Sequence, residues 1–221
     1  MCGRFNLLPD SKTASLSSRL QARGELRYAP DLAPGAQVSI IHGAPERRIS
    51  TATWWLLLDP DTGKPNYRYP SFNSRYDKLN TPRSLAWQPY RHSRCIIPAS
   101  AFVEGLGDQQ TYHKIELEDR ALAFGGLFRT LIKPDTGELV YSTSIITLPP
   151  LDKWRRIHPK SMPLLLDVEN DALVERWLDP AFTRVDAFAA LLHPVLQWPQ
   201  RITPIDRPGK WNPVGDSFLL T

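Results

Sequence analysis

Short apolar or alternating stretches, broken every ten residues or so by proline, glycine or aspartate, set the rhythm of this 221-residue chain. Residues 39–41 and 49–58 read as strands, the second rich in threonine, isoleucine and tryptophan. A turn at Asp59-Pro60-Asp61-Thr62-Gly63 leads into a loop that passes Tyr67 and Tyr69 before Asn73. Residues 82–87 suggest a helical turn. Strand-like segments follow at 95–97, 102–104, 112–117, 121–128 and 140–147, with turn-rich breaks at residues 105–108 and 133–137. Helical spacing is confined to 14–23, with Ser11 or Thr13 as cap and Gly24 as stop, to 172–178 behind Asn170 or Asp171, and to 186–192. Residues 27–35 read as an extended connector. From Trp198 onward the chain looks irregular, down to a last apolar Phe218-Leu219-Leu220. The pattern predicts an α+β fold: one domain spanning 1–221, on a curled, mostly antiparallel β-sheet or barrel with a few peripheral helices.

Composition narrows the class. At 42% hydrophobic the chain can bury one sizeable core. It has no run of eighteen apolar residues, so no membrane span is expected. Its start lacks the basic and apolar stretches of a secretory signal, which predicts a cytoplasmic protein. Two cysteines, Cys2 and Cys95, make no disulfide framework, and five scattered histidines lack metal-ligand spacing. Neither a metal nor a cofactor is expected. The charge of +4, with a pI near 9.1, suits a polyanionic partner without requiring one. Basic residues clump at Arg47-Arg48, at Arg91-His92-Ser93-Arg94 and at Lys153-Trp154-Arg155-Arg156. Each clump alone reads as a solvated turn; three with aromatic neighbours favour phosphate contact.

The candidate chemistry starts at Met1-Cys2-Gly3-Arg4-Phe5. If Met1 is removed, Cys2 carries an α-amine and a thiol on adjacent carbons. Both are nucleophilic near neutral pH, and together they can attack one aldehyde twice, giving an imine and then a thiazolidine ring. Gly3 would let a ligand approach the backbone closely. Glu104 follows an apolar stretch whose burial would raise its carboxyl pKa toward neutrality, although a surface glutamate at a strand end has the same local sequence. His158 can exchange protons near pH 7, or can be a hydrogen-bonded structural residue. Asn73 offers a donor and an acceptor, and Arg75 lies two residues further on an extended segment. Arg4 and Arg75 present guanidinium forks suited to phosphate, or are plain surface charges. Cys95, in an apolar run, reads as core.

Taken in order, several motifs converge. The start is followed by Ala33-Pro34-Gly35, Asn73-Ser74-Arg75, Arg94-Cys95-Ile96-Ile97-Pro98, Ala101-Phe102-Val103-Glu104, Ile157-His158 and Met162-Pro163-Leu164. This ordered set resembles the SRAP family, the SOS-response-associated peptidase domain of abasic-site-sensing proteins, from residue 1 to about Leu166. The resemblance implies a protein that binds single-stranded DNA containing abasic sites and crosslinks to the opened sugar through the mature Cys2; a monomer is expected. The resemblance also implies self-removal of Met1. It assigns Asn73 to orienting the sugar, Glu104 to ring opening and imine formation, and His158 to proton transfer in ring closure, with Arg4, Arg75, Lys160 and Gly3 at the DNA. The chain departs from the family pattern in four places. His158 stands one residue further from Met162-Pro163, residues 55–61 lack the usual aromatic segment (either the wedge is missing or Tyr67 and Tyr69 replace it), Gly105 replaces an aromatic, and Asp31 replaces an asparagine. Two other readings stay open: a cysteine peptidase or amidase using Cys2, His158 and Glu104 or Asn73, and a non-catalytic nucleic-acid-binding module.

Overall fold

The protein is described for residues 3–221 by a computed structural model. In chain order the elements are β1 (Phe5–Leu7), α1 (Ser11–Leu20), β2 (Ala29–Leu32), β3 (Gln37–His42), β4 (Arg48–Thr53), β5 (Asn73–Arg75), α2 (Tyr76–Leu79) and α3 (Trp87–His92). There follow β6 (Arg94–Ala99), β7 (Ala101–Gly105), β8 (Tyr112–Leu117), β9 (Leu122–Ile132), β10 (Leu139–Leu148) and β11 (Met162–Pro163). The chain ends with α4 (Asp171–Leu178), a 3₁₀ segment (Val185–Leu192), β12 (Gln200–Ile205) and β13 (Phe218–Leu220).

Two sheets share these strands. One runs β13-β12-β8-β7-β1-β2 and is antiparallel throughout. The other closes on itself through β10-β4-β3-β6-β9 and back to β10, a five-stranded barrel in which only β4 and β10 run parallel. β5 and β11 also pair with β10. The α+β architecture is therefore the one the strand pattern predicts, with closure removing the barrel's free edges.

The long antiparallel strands fall where alternation placed them, and β8 matches its expected bounds. Phe5–Leu7, to which the sequence pattern assigns no element, is a strand too short to show a period, and all three residues are buried between β7 and β2. Other expectations are corrected. The expected connector at 27–35 contains β2, and the expected irregular tail contains β12, paired with β8 along its length. Pro204 sits opposite His113, beyond the last residue pairing with β13, where a missing N–H is tolerated. The first helix starts at Ser11, not 14. Asp10 is its cap and shares a reciprocal capping box with Thr13, and Gln21 in the left-handed region ends it before Gly24. The turn expected at 82–87 precedes the regular helix α3, and the segment expected to be helical at 186–192 is 3₁₀.

One apolar core fills the space between the sheets. Phe5 packs edge-on against Trp54 (4.8 Å between centroids) and Phe124 (5.8 Å), and Phe102 joins Phe124 to Trp154. Burying a side chain as large as Phe5 stabilises by about 2–3 kcal/mol, enough to hold the start of the chain on β7. Among the described residues no helix is long and apolar enough to cross a membrane.

Candidate functional site

Anchoring Phe5 fixes its neighbours: Gly3 and Arg4 line a cavity of about 360 Å³ together with Glu104, Gly105, Tyr112, His158 and Pro208. Glu104 arrives there because β7 alternates and Phe102, two residues earlier, points into the core. His158 arrives by a different route. The Trp154 ring stacks on Phe102, its indole N–H donates to the Ser161 carbonyl (3.0 Å), and the Trp154 carbonyl accepts from the His158 amide (3.0 Å). One buried tryptophan thus sets both ends of the His158 loop.

Glu104 is 3% exposed, and burial pushes its carboxyl up to about 7. Both its protonated and ionised forms are then populated at neutral pH. The His158 Nδ1 lies 2.6 Å from the Gly105 carbonyl and 3.7 Å from Glu104 Oε2. A carbonyl oxygen only accepts, so Nδ1 carries the proton and Nε2 carries the lone pair. Burial holds the imidazole below its usual pKa. At neutral pH the 3.7 Å approach is therefore a contact between a neutral ring and a half-protonated carboxyl, not a fixed ion pair. Together they make an acid–base couple that can hold or pass one proton.

Gly105, an aromatic in the family pattern, has no room for one. A Cβ there would stand 2.8 Å from both the Thr111 carbonyl oxygen and Tyr112 Cδ1. The Tyr112 ring, from the next strand, covers that face, and Glu104 stays buried without the aromatic. Gly105→Ala should destabilise the protein by about 1–3 kcal/mol and raise the exposure of Glu104. Urea unfolding together with the pH profile of Glu104 titration would test this; a wild-type midpoint in the variant would contradict the clash.

Two other sequence candidates, Arg75 and Lys160, line a second cleft of about 320 Å³ together with Tyr76, Thr147, Leu148, Pro149 and Ser161. Arg75 is held by Asp77 through two bonds of 3.0 and 2.9 Å. Asn73 opens β5 opposite Ile145 with its carboxamide oxygen shielded from solvent, and Ser74 is tied to Ser144 (2.7 Å). Residues 158–160 divide the two clefts, with His158 facing one and Lys160 the other. Cys2, the expected nucleophile, lies outside the described residues; Gly3, bonded to it in sequence, lines the first cavity.

Two readings from the charge clumps change. Arg94 is 2% exposed and serves the core, and Arg47 is held by the Leu20 carbonyl and by Glu175. Cys95 is a core residue as expected, its thiol pushed up by burial to about 12. The sequence reading missed Tyr112 and Pro208 as cavity walls. It noted Asp31 only as a departure, whereas Asp31 grips Arg4 at 2.5 Å. Tyr67 stands 70% exposed with its ring edge-on to Trp55 (5.1 Å), and Trp55 in turn lies 5.5 Å from Phe72, the neighbour of Asn73.

Residues 1–207 match the SOS response associated peptidase (SRAP) family, and the chain belongs to it. It is 30% identical over 202 residues to the abasic site processing protein YoqW of Bacillus subtilis (strain 168), covering 88% of this chain and 87% of that one. It is 26% identical over 174 residues to the abasic site processing protein HMCES of Xenopus tropicalis, where the match takes in 68% of this chain and 50% of the relative. Crystal structures of proteins from Bordetella bronchiseptica (TM-score 0.71, 18% identity, 93% of this chain and 100% of that one) and Bacteroides thetaiotaomicron (0.72, 19%, 93% of each) have the same fold.

Proposed function

We propose that this protein processes abasic sites in single-stranded DNA by covalent capture through Cys2 once Met1 has been removed. The observation that carries the reading is the cavity at the chain start, where a carboxyl poised near 7 and a neutral imidazole stand beside Gly3. An abasic sugar is mostly a closed hemiacetal, so a proton must leave its hydroxyl as the ring opens to the aldehyde. The Cys2 amine then adds to the carbonyl carbon, water leaves, and an imine forms. The thiolate adds to the imine carbon, the nitrogen takes a proton, and a thiazolidine closes, with one water released overall. Glu104 supplies and receives protons at ring opening and dehydration. Nε2 of His158 accepts the thiol proton and returns it at nitrogen. Asn73 orients the sugar, while Arg75 and Lys160 receive the flanking phosphates from the second cleft and Arg4, paired with Asp31, stands at the mouth of the first.

The test is a mixture of Met1-processed protein and a single-stranded oligonucleotide bearing one abasic site. A heat-stable shifted band is expected, absent with intact DNA. Cys2→Ser keeps the amine, so it should give only an adduct that borohydride traps and heat destroys. Cleavage of peptides without DNA, and no band, would instead favour a peptidase built on the same residues.

A further inference from the structure

Arg4 reaches the cavity already engaged. Its Nη1 lies 2.5 Å from Asp31 Oδ2, with both side chains partly exposed, at 26% and 34%. The other oxygen of the same carboxylate, Oδ1, accepts from the indole N–H of Trp211 at 2.9 Å. Asp31 is thus fixed from two sides by residues 27 and 180 positions away.

The loop that delivers Trp211 is closed on itself. Asp206 and Asn212 bridge its ends with a backbone bond (3.0 Å) and two side-chain bonds (3.2 and 3.0 Å), and the Lys210 amide reaches the Arg207 carbonyl. Trp211 sits at φ 62, a conformation that bulky residues seldom adopt unless the surroundings impose it. Pro208 of this loop forms part of the cavity wall, and a Cβ on Gly209 would come within 3.2 Å of Arg4 Nη1. The family match ends at residue 207, so the Trp211 contact lies beyond it.

We propose that Asp31, locked by Trp211, is a specificity-determining residue that holds back the Arg4 guanidinium from anionic ligands. A phosphate approaching Arg4 meets a carboxylate that already neutralises the cation and repels a second anion. Backbone attraction, which carries no information about a lesion, is weakened at the cavity mouth, and retention depends more on what the cavity does with the sugar. The inference rests on reading the cavity as a nucleic-acid site.

The experiment uses undamaged oligothymidylate and a heparin column, so it does not depend on capture chemistry. Asp31→Asn should bind oligothymidylate about fivefold or more tighter at low salt. Its salt dependence should be steeper by about 0.7 in the log–log slope, the value of one further phosphate on a single strand, and it should elute later from heparin. In an Arg4→Gln background the same substitution should change little, because the effect acts through Arg4. Asp31→Ala serves as a second variant should the asparagine re-form both hydrogen bonds. Unchanged or weaker binding, no retention of either form on heparin, or equal tightening in the Arg4→Gln background would overturn the proposal. A wild type that crosslinks no abasic site, alongside the predicted heparin and oligothymidylate shifts, would remove the capture reading and leave the Asp31 restraint standing.

Discussion

Glu104→Gln should slow abasic-site capture by about a hundredfold or more, and the same variant should be more stable than the wild type above neutral pH. Both effects follow from one buried carboxyl. Glutamine keeps the shape but cannot exchange a proton, so the ring opening and dehydration proposed for Glu104 would lose their acid–base partner. The stability effect has a definite sign. Burial raises the Glu104 pKa from the ordinary 4.5 to about 7. Between those values the unfolded chain has released its proton while the folded chain retains it, so wild-type stability falls as pH rises through that window, by roughly 3 kcal/mol. Glutamine removes this loss. Urea unfolding at pH 4, below the window, should find the two proteins alike, and at pH 8 should find the variant more stable. His158 acts in the opposite sense, since its lowered pKa contributes stability that is lost as pH falls below the usual histidine range. It is common to both proteins and cancels in the difference. A single-turnover crosslinking rate equal to wild type, or a variant no more stable at pH 8, would refute the assignment of Glu104.

The parts of this molecule that could be read from the chain are those whose cause is local. Tyr112–Leu117 alternates half-buried and buried residues without exception, and turn residues flank it, so its bounds were visible. Glu104 was recognisable because the apolar residues before it imply burial. β12 was hidden by prolines and an arginine, and becomes a strand only because β8 offers it a full ladder. His158 had the right chemistry, but its location depends on Trp154 stacking on Phe102, 52 residues earlier, a relation with no sequence period. Arg4, Asp31 and Trp211 come from the two ends of the chain, and only the closed loop at 206–212 brings the third to the others. Arg47 and Arg94 in the first two charge clumps misled for a related reason. A run of basic residues reports where charge is dense along the chain, not which guanidinium the fold withdraws from water.

Arg94 is the extreme case, and replacing it with methionine should destabilise the protein by about 3–5 kcal/mol. It is 2% exposed, and among the described residues no carboxylate stands within ion-pair distance of it. Six backbone carbonyls share its five N–H groups: Nε donates to Trp177 (2.8 Å), Nη1 to Tyr90 and Arg91 (both 2.7 Å), and the two N–H groups of Nη2 to Arg176 (3.2 Å), Asp179 (2.7 Å) and Phe182 (2.9 Å). Four of these lie in the last turns of α3 and α4, where helical carbonyls have no partner within the helix and the dipole is negative. One guanidinium thus closes two helices at once, and Phe188 covers it at 5.1 Å. Burial lowers its pKa to about 10, which still leaves it charged at physiological pH. Methionine matches the apolar stem but strands the carbonyls in the interior, each at a cost comparable to a lost hydrogen bond. Lysine keeps the charge yet brings three donors to a site built for a planar fork, so Arg94→Lys should fall between. For a chain of this length the methionine variant should melt roughly 10 °C lower. Capture by its folded fraction at low temperature should be normal, because the Arg94 side chain lies against α3 and α4 and not at either cleft. A methionine variant that unfolds at the wild-type temperature would show that these carbonyls find other partners, and that Arg94 does not hold the two helix ends.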